Sequence, residues 1–366
     1  RGLHLDEKNA MINEERVSGT FFDIGLSLFH NAKKLLENGT GPYFYLPKLE
    51  HYLECRLLDE VISFCEKKLG LDNGTVKVTV LIETINAVFQ MEEFLYELKN
   101  HIVGLNAGRW DYLFSYQKVY RNTKKVILPD RSKVNMFVPF MSNYNKLLVD
   151  TCHKRGAFGM GGMSAQVIAK SNPKEVNENA LAGVKKDKER ELEQGNDGAW
   201  VAHPSLVEPV KNIFEKNFDG PNQMKKFNNV KINRRDLLDE PKIENAITEN
   251  GVRENLQEGI EYMAYWISGI GASVVNYLMA DVATCEVSRA QLWIWLKYKA
   301  KLNDGRIVDE DLIDKLIAEE LDKTKKRVGD EHFKKIPFEN ASKIFRDMIT
   351  KDNFDDFLTL PLYEKI

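Results

Sequence analysis

One strand–helix–strand unit constrains the fold of this chain more than any other feature. It begins with the apolar, β-branched run 76–82, which is typical of a buried strand and ends beside Glu83. Apolar residues then recur at helical spacing over 88–98, and a second apolar run, 102–105, leads to Asp111. Because a right-handed crossover makes the two strands parallel neighbours, we expect both acids to open on the same face of the sheet.

Two carboxylates that converge at strand ends suit a hard divalent cation. Magnesium takes one or two protein carboxylates and leaves its other positions to water and substrate oxygens. The alternative is that Glu83 and Asp111 are unrelated surface acids, since both residue types are exposed in most proteins. The spacing by itself leaves both interpretations open.

The remainder of the chain alternates strand and helix patterns and then becomes wholly helical. We predict about six strands in a parallel α/β arrangement over 1–220, a linker or loop at 221–250, and a carboxyl-terminal helical domain at 251–366. Because no dinucleotide-binding fingerprint follows the predicted strands, a (β/α)8 TIM barrel is favoured over an open sheet. A barrel needs eight strands, and we therefore expect further barrel strands before Arg1, where no initiator Met stands.

Local signals predict where several elements begin or end. Residues 1–5 have the pattern of a strand tail, and Ser142 and Ser288 are placed to cap helices. The glycine-dense stretch 156–163 fits neither common phosphate-binding pattern, so we predict a strand that ends in a tight turn at the barrel mouth. The mixed charges over 175–194 predict a solvated helix face.

Composition excludes several classes of protein. The net charge of −3 gives no global basic field for nucleic acid, and no apolar run approaches membrane-spanning length. The 4 cysteines are scattered without a Cys-x-x-Cys pair, which argues against zinc and disulfide frameworks and fits a reducing compartment. We expect an intracellular protein, and the sequence does not decide between cytoplasm and peroxisome or glyoxysome, nor does it give the oligomeric state.

Four longer stretches resemble the malate synthase family. They are Leu-Ile-Glu-Thr with Gly-Leu-Asn-Ala-Gly-Arg-Trp-Asp-Tyr (81–112), Cys-His-Lys-Arg-Gly-Ala-Phe-Gly-Met-Gly-Gly-Met (152–163), Asp-Gly-Ala-Trp-Val-Ala-His-Pro (197–204) and Leu-Met-Ala-Asp-Val-Ala-Thr-Cys-Glu-Val-Ser-Arg (278–289). The opening residues 1–5 and the closing residues 356–361 fit the same family. These matches run in order across nearly the whole chain, which makes the resemblance far more specific than a single short motif.

The resemblance implies an enzyme of the glyoxylate cycle that is linked to the tricarboxylic acid cycle. Malate synthases are acyltransferases that convert the acyl group to alkyl on transfer. They condense acetyl-CoA with glyoxylate and hydrolyse the thioester, which releases malate and CoA. The family fold is a (β/α)8 barrel with a carboxyl-terminal helical domain beside its mouth, in agreement with the pattern above. The implied partners are these small molecules, without nucleic acid or membrane.

The resemblance also assigns roles at the metal site. It implies that Glu83 and Asp111 bind Mg²⁺ and that glyoxylate completes the coordination shell. The glyoxylate carboxylate is then expected against backbone N–H groups around Gly108, Arg109 and Trp110. The metal would act as a Lewis acid on the glyoxylate aldehyde.

Two further residues take roles by resemblance. Asp281, in the loop before the predicted helix at Ser288, corresponds to the general base that removes a methyl proton from acetyl-CoA. Spacing alone also allows Asp281 to be an acid favoured by a helix dipole. The family stabilises the enolate with an arginine of an Arg-Pro-Arg-Gly-x-His-Leu strand. This chain holds the second arginine of that pattern, Arg1, which is a candidate for this role, although we expect the first arginine, upstream of Arg1, to be the functional one.

Two other functions remain as alternatives. A barrel lyase acting on malyl-CoA or citramalyl-CoA shares the Ile-Glu-Thr and magnesium features, but the matched helical segment that carries Asp281 argues against it. A binding or scaffold protein could retain the fold without catalysis. That alternative is disfavoured because Glu83, Asp111 and Asp281 are all present.

Overall fold

Five parallel strands form the centre of the computed structural model, which describes residues 1–238 and 246–365. The strands up to residue 238 are Asp6–Ile12 (β1), Glu15–Ser18 (β2), Tyr43–Leu46 (β3), Lys77–Ile82 (β4), Ile102–Ala107 (β5), Phe158–Ser164 (β6) and Gly198–Val201 (β7). β3 to β7 pair in chain order, every pair being parallel, while β1 and β2 form a separate antiparallel pair. Parallel neighbours require a crossover between them, which the helices supply.

Helices fill each crossover and cover the sheet. They are Gly19–Glu37 (α1), Tyr52–Leu69 (α2), Met91–Glu97 (α3), Arg109–Tyr120 (α4), Pro139–Lys154 (α5), Lys174–Glu193 (α6), Val207–Glu215 (α7) and Arg234–Leu238 (α8), with single 3₁₀ turns at Ala87–Phe89, Lys124–Val126, Arg131–Lys133 and Pro204–Leu206. The β4 side chains Val78, Val80 and Ile82 are completely buried in the resulting core. Each such burial is worth about 1.5–3 kcal/mol relative to an exposed side chain.

The carboxyl-terminal part is helical apart from one hairpin. Its helices are Glu249–Ile267 (α9), Val282–Lys297 (α10), Glu310–Val328 (α11), Asp330–Lys335 (α12), Phe338–Thr350 (α13) and Thr359–Tyr363 (α14), and the hairpin strands are Ser273–Val275 (β8) and Leu278–Ala280 (β9). These helices enclose a second apolar core. Within the described residues, no helix is long and apolar enough to cross a membrane.

Helix α10 belongs to both cores. Val287 and Ile294 pack into the core beneath the barrel sheet, whereas Leu292 and Trp295 pack among the carboxyl-terminal helices. α10 is therefore buried on nearly all sides, and its charged residues Glu286 and Arg289 are buried as an ion pair of 2.7 Å. The Trp295 Nε1 also donates to the carbonyl oxygen of Leu128 at 3.0 Å, which ties α10 to the barrel part.

The β8–β9 hairpin docks on the chain that follows β6. The backbone N–H of Met279 donates to the carbonyl of Ala165 at 2.7 Å, and that of Val167 donates to the carbonyl of Tyr277 at 3.0 Å. Because β9 leads directly into α10, these bonds bring the start of α10 to the carboxyl-terminal edge of the sheet.

The predicted architecture of a TIM-barrel domain followed by a helical domain is confirmed, with several local corrections. Residues 1–5 form a turn rather than a strand tail, and five parallel strands are present in the described residues rather than six. Ser142 lies inside α5, which is capped by Val138 and begins at Pro139 because proline suits the first helical position. Ser288 likewise lies inside α10, whose cap is Asp281.

The charged stretch 175–194 is the predicted helix, but its face is not wholly solvated. Lys188 and Glu191 are buried and form an ion pair of 2.9 Å, because this side of α6 covers the end of β6. Of the predicted linker 221–250, the described residues before α8 contain no regular element, and residues 239–245 lie outside the described part of the chain. The division at 220 and 250 stays a prediction.

Candidate active site

Three neighbouring strands each deliver one charged side chain to the same edge of the sheet. β3 is followed by Lys48, β4 by Glu83, and β5 by the first turn of α4, which contains Asp111. The carboxyl ends of parallel strands meet at one edge, and in a barrel of such units this edge carries the chemistry. The predicted convergence of Glu83 and Asp111 is therefore present, although Asp111 stands on a helix rather than at the strand end itself.

Lys48 joins the two carboxylates. Its Nζ lies 2.8 Å from Asp111 Oδ1 and 3.8 Å from Glu83 Oε1, and its backbone N–H donates to Glu83 Oε1 at 2.7 Å. The side chains of Glu83, Asp111 and Lys48 are only 3%, 14% and 12% exposed, respectively. Lys48 is not among the residues predicted from the sequence. The available signal was its position two residues after the end of β3, close to the position that Glu83 takes directly after β4.

Burial and mutual repulsion perturb these groups. Burial, together with the nearby charge of Asp111, raises the pKa of Glu83 well above its usual range. Burial on its own lowers the pKa of the Lys48 ammonium, but the charges of Asp111 and Glu83 outweigh it, so the pKa is raised. Perturbed titratable groups in a cleft are a physical sign of a functional site.

Gly108 allows α4 to begin directly against Glu83. It caps α4, and a Cβ added at this position would lie 2.6 Å from Glu83 Cβ and 3.0 Å from Glu83 Oε2. The Gly108 N–H donates to the hydroxyl of Tyr144 at 2.9 Å, and this hydroxyl in turn donates to the carbonyl of Ile82. The N–H of Gly108 is thus already bonded, whereas the first-turn N–H groups of Arg109 and Trp110 point out of the helix start.

The Arg109 side chain turns onto the ring of Trp110. Its guanidinium carbon lies 4.2 Å from the ring centroid, and burial lowers the pKa of this arginine. The stacking is a cation–π contact, which fixes the guanidinium beside the start of α4.

Asp281 approaches the same place from the carboxyl-terminal part. As the cap of α10, its Oδ1 accepts from the N–H groups of Ala283 at 3.0 Å and Thr284 at 3.2 Å. The Asp281 N–H donates to Thr284 Oγ1 at 3.1 Å, which completes a capping box. Burial, and after it the charge of Asp111, raises the pKa of Asp281. The residue that caps α10 is therefore also a buried acid close enough to Asp111 for that charge to raise its pKa, and its role as general base stays a prediction.

A small cavity of about 50 Å³ connects these residues. Glu83, Asp111 and Asp281 line it together with the predicted substrate residues; the wall consists of Leu81, Glu83, Asn106, Ala107, Gly108, Arg109, Trp110, Asp111, Met163, Ala165, Trp200, Asp281 and Ala283. Six of the seven residues predicted from the sequence thus meet at one cavity.

Arg1 is the exception. Its guanidinium pairs with Asp23 at 2.7 Å and with Glu7 at 2.5 Å, and it donates to the hydroxyl of Tyr363 at 3.1 Å. Arg1 lines a different cavity, between α1 and β3. Its assignment to the enolate stays a prediction that this arrangement does not support.

The donor set at the cavity fits Mg²⁺. Glu83 and Asp111 offer hard carboxylate oxygens, and magnesium needs only one or two of them from a protein. No cluster of three His, Cys, Asp or Glu side chains suited to a metal ion occurs in residues 1–238 and 246–365, so an all-protein cage is not formed there. Two buried carboxylates that face each other also require positive charge nearby, which a divalent cation would supply.

Two protein-family models together match almost the whole chain. Residues 1–240 match the family model "Malate synthase, TIM barrel domain", and residues 246–366 match "Malate synthase, C-terminal". The malate synthase of Myxococcus xanthus is 44% identical over 367 residues, which are 100% of this chain and 67% of that protein. The glyoxysomal malate synthase of Candida tropicalis is 43% identical over 370 residues, which cover 100% of this chain and 66% of that protein.

The chain is shorter than its relatives and shares its fold with a solved malate synthase structure. A bifunctional glyoxylate cycle protein of Caenorhabditis elegans is 44% identical over 367 residues and is covered to 37% of its length. The chain thus spans about two thirds of the length of the malate synthases it matches, and less of the bifunctional protein. Among solved structures, Haloferax volcanii malate synthase in a pyruvate/acetyl-CoA ternary complex superposes with a TM-score of 0.51 at 13% identity, over 89% of this chain and 75% of that one.

Proposed function

Because the chain belongs to the malate synthase family, we propose that it carries out the malate synthase reaction, the condensation of acetyl-CoA with glyoxylate and hydrolysis of the thioester to malate and CoA. The observation that carries this proposal is the meeting of Glu83, Asp111 and Asp281 at one cavity, although Asp281 comes from the carboxyl-terminal part. A general base and a pair of metal-binding carboxylates are what this chemistry requires.

We assign Glu83 and Asp111 to hold Mg²⁺, which would polarise the glyoxylate aldehyde when bound. The start of α4 would receive the glyoxylate carboxylate, since the first N–H groups of a helix and its dipole favour an anion. Because the Gly108 N–H is bonded to Tyr144, the N–H groups of Arg109 and Trp110 are the better donors. The substrate carboxylate would therefore lie next to the carboxylates that hold the metal.

Asp281 is assigned to remove a proton from the methyl group of acetyl-CoA. Both of the hydrogen bonds that it accepts from α10 use Oδ1, so Oδ2 is the oxygen we assign to take the proton. The resulting carbon attacks the aldehyde carbon of glyoxylate and forms the new C–C bond. The π electron pair of the aldehyde moves to its oxygen, which takes a proton and becomes the hydroxyl group of malate. Water then cleaves the C–S bond of the thioester, which yields malate and CoA. The raised pKa of Asp281 moves it toward the range in which a general base is effective.

The test is CoA release followed with a thiol reagent, with and without glyoxylate and magnesium. An enzyme-only blank corrects for the 4 cysteines of the chain. We expect release that requires both additions. Release that is independent of glyoxylate would indicate simple thioester hydrolysis, and no release by the folded full-length protein would contradict the proposal.

The substitution Asp281→Asn tests the role of Asp281 as general base while it keeps its role as the cap of α10. The amide oxygen of Asn still accepts from Ala283 and Thr284, so we expect the variant to fold, whereas turnover should fall by about 10²–10⁴-fold because the base is lost. Asp309→Asn is the matched control, since Asp309 caps α11 through Leu312 N–H and does not line the cavity. Near-normal turnover of Asp281→Asn would show that another group is the base.

A further inference from the structure

Lys48 does not line the cavity, but it gives the two carboxylates that do, Glu83 and Asp111, a positive charge from the chain itself. The ammonium contacts Asp111 Oδ1 at 2.8 Å and approaches Glu83 Oε1 to 3.8 Å, and the lysine side chain is only 12% exposed. These are the same carboxylates that we propose as metal ligands. A divalent cation and the lysine ammonium would therefore neutralise the same two negative charges.

The backbone at Lys48 is held in an unusual conformation to achieve this. Its φ angle is +58°, in the left-handed region that residues with a side chain seldom adopt. This conformation lets one residue reach both acids, with the N–H on Glu83 Oε1 and the ammonium on Asp111 Oδ1. Strained backbone that the surroundings enforce is concentrated at functional sites.

The other cationic groups nearest to the cavity contact partners other than the two carboxylates. The Arg131 guanidinium lies 5.7 Å from the centroid of the Trp110 ring and pairs with Glu258 at 3.1 Å. The guanidinium of Arg109 stacks on Trp110, and Lys118 lies over the ring of Phe357 at 4.1 Å and faces Glu50 at 3.5 Å. The third acid of the cavity, Asp281, adds further negative charge on the opposite wall. Among the residues that the structure describes, Lys48 is thus the cation in direct contact with the carboxylate pair.

We propose that Lys48 is an internal counter-ion, which stabilises the Glu83–Asp111 pair when no metal is bound and thereby weakens the binding of a divalent cation. The second half of this statement rests on the proposed magnesium site, whereas the first half does not. Attraction between the ammonium and the carboxylates is strongest in the metal-free protein, because a bound cation neutralises the same oxygens and repels the lysine. By linkage, a group that stabilises the metal-free state more than the metal-bound state lowers the affinity for the metal.

The counter-ion role is tested first without metal. Lys48→Met, Glu83→Gln and the double variant are unfolded by heating in the presence of a chelator. We expect Lys48→Met alone to lower the melting temperature by several degrees, because it leaves two facing carboxylates unbalanced. In the Glu83→Gln background the same change should have a much smaller effect. Lys48→Arg, which keeps the charge, should recover most of the stability.

The metal half is tested by titrating each variant with MgCl₂. We expect the magnesium-induced rise in melting temperature to be larger in Lys48→Met than in the unaltered protein, and the Mg²⁺ Kd from calorimetry to be roughly tenfold lower. Lys188→Met is the matched control. Lys188 is also a buried lysine, paired with Glu191 at 2.9 Å, so its loss should reduce stability without changing the response to magnesium.

Each outcome decides one half of the proposal. Equal effects of Lys48→Met in both backgrounds, or a double variant that fails to fold while Glu83→Gln folds, would overturn the counter-ion role. A magnesium response in Lys48→Met that is equal to or weaker than normal would overturn the effect on affinity. If no variant responds to magnesium, the proposed metal site has failed, while the measurements in chelator still decide the counter-ion role.

Discussion

A methyl group added at Gly108 should displace the carboxylate of Glu83. The Cβ of an alanine here would lie 2.6 Å from Glu83 Cβ, whereas ordinary contact begins at 3.4 Å, so one of the two must move by 3.4 − 2.6 = 0.8 Å. The obstacle adjoins the backbone, so rotation of a flexible side-chain end cannot relieve it. A displacement of about 1 Å at a reacting group can cost about 100-fold in rate.

For Gly108→Ala we therefore expect kcat to fall by about 100-fold, which corresponds to about 2.7 kcal/mol of transition-state stabilisation. The assay is the initial rate of CoA release at saturating substrates, together with Mg²⁺ binding by calorimetry and the melting temperature. Gly25→Ala is the control, because Gly25 lies in α1 with nothing within 4 Å of the added Cβ. A Gly108→Ala variant with near-normal kcat and magnesium affinity would refute the view that this glycine positions Glu83.

Three further predictions concern stability. The His153 ring contacts Asp197 at 2.9 Å; burial lowers the pKa of His153, but Asp197 outweighs burial, so the pKa is raised overall. The protonated ring should therefore stabilise the fold fully below about pH 6.5, and this stabilisation should be lost as the pH rises through the raised folded-state pKa. Melting curves against pH should show this loss in the unaltered protein but not in His153→Gln. Gly259→Ala places a Cβ 2.2 Å from the ring of Phe345 and should cost about 1–3 kcal/mol in denaturant unfolding, whereas Gly271→Ala, with nothing within 4 Å, should not. Chelation of a magnesium-loaded sample should lower its melting temperature, and an unchanged value would argue against the proposed metal site.

The central unit was predictable because its signals are local. Alternation between a β-branched run and helical spacing predicts β4, α3 and β5, and the crossover rule then brings Glu83 and Asp111 to the same edge. The role predicted for Asp281 depended on resemblance, because a single acid before a helix has the same pattern as an ordinary cap. The structure makes it a cap as well, so pattern alone could not have separated the two.

Features set by tertiary contacts were not predictable. Ser142 and Ser288 have the chemistry of caps, but both lie within buried helices whose starts are fixed by Pro139 and Asp281. Lys48 escaped notice because a lysine after a strand is exposed in most proteins. Its position between two acids depends on a left-handed backbone conformation that only the folded sheet enforces.

The most direct test of the central claim follows both carbons of glyoxylate into the product. The protein is incubated with unlabelled acetyl-CoA, magnesium and glyoxylate labelled with ¹³C at both carbons, and the mixture is examined by NMR. We predict free malate with two adjacent labelled carbons, formed in equal amount to CoA, and at a rate about 10²–10⁴-fold lower with Asp281→Asn. Labelled malyl-CoA without free malate would indicate a lyase instead, and unchanged glyoxylate with a folded protein would contradict the account.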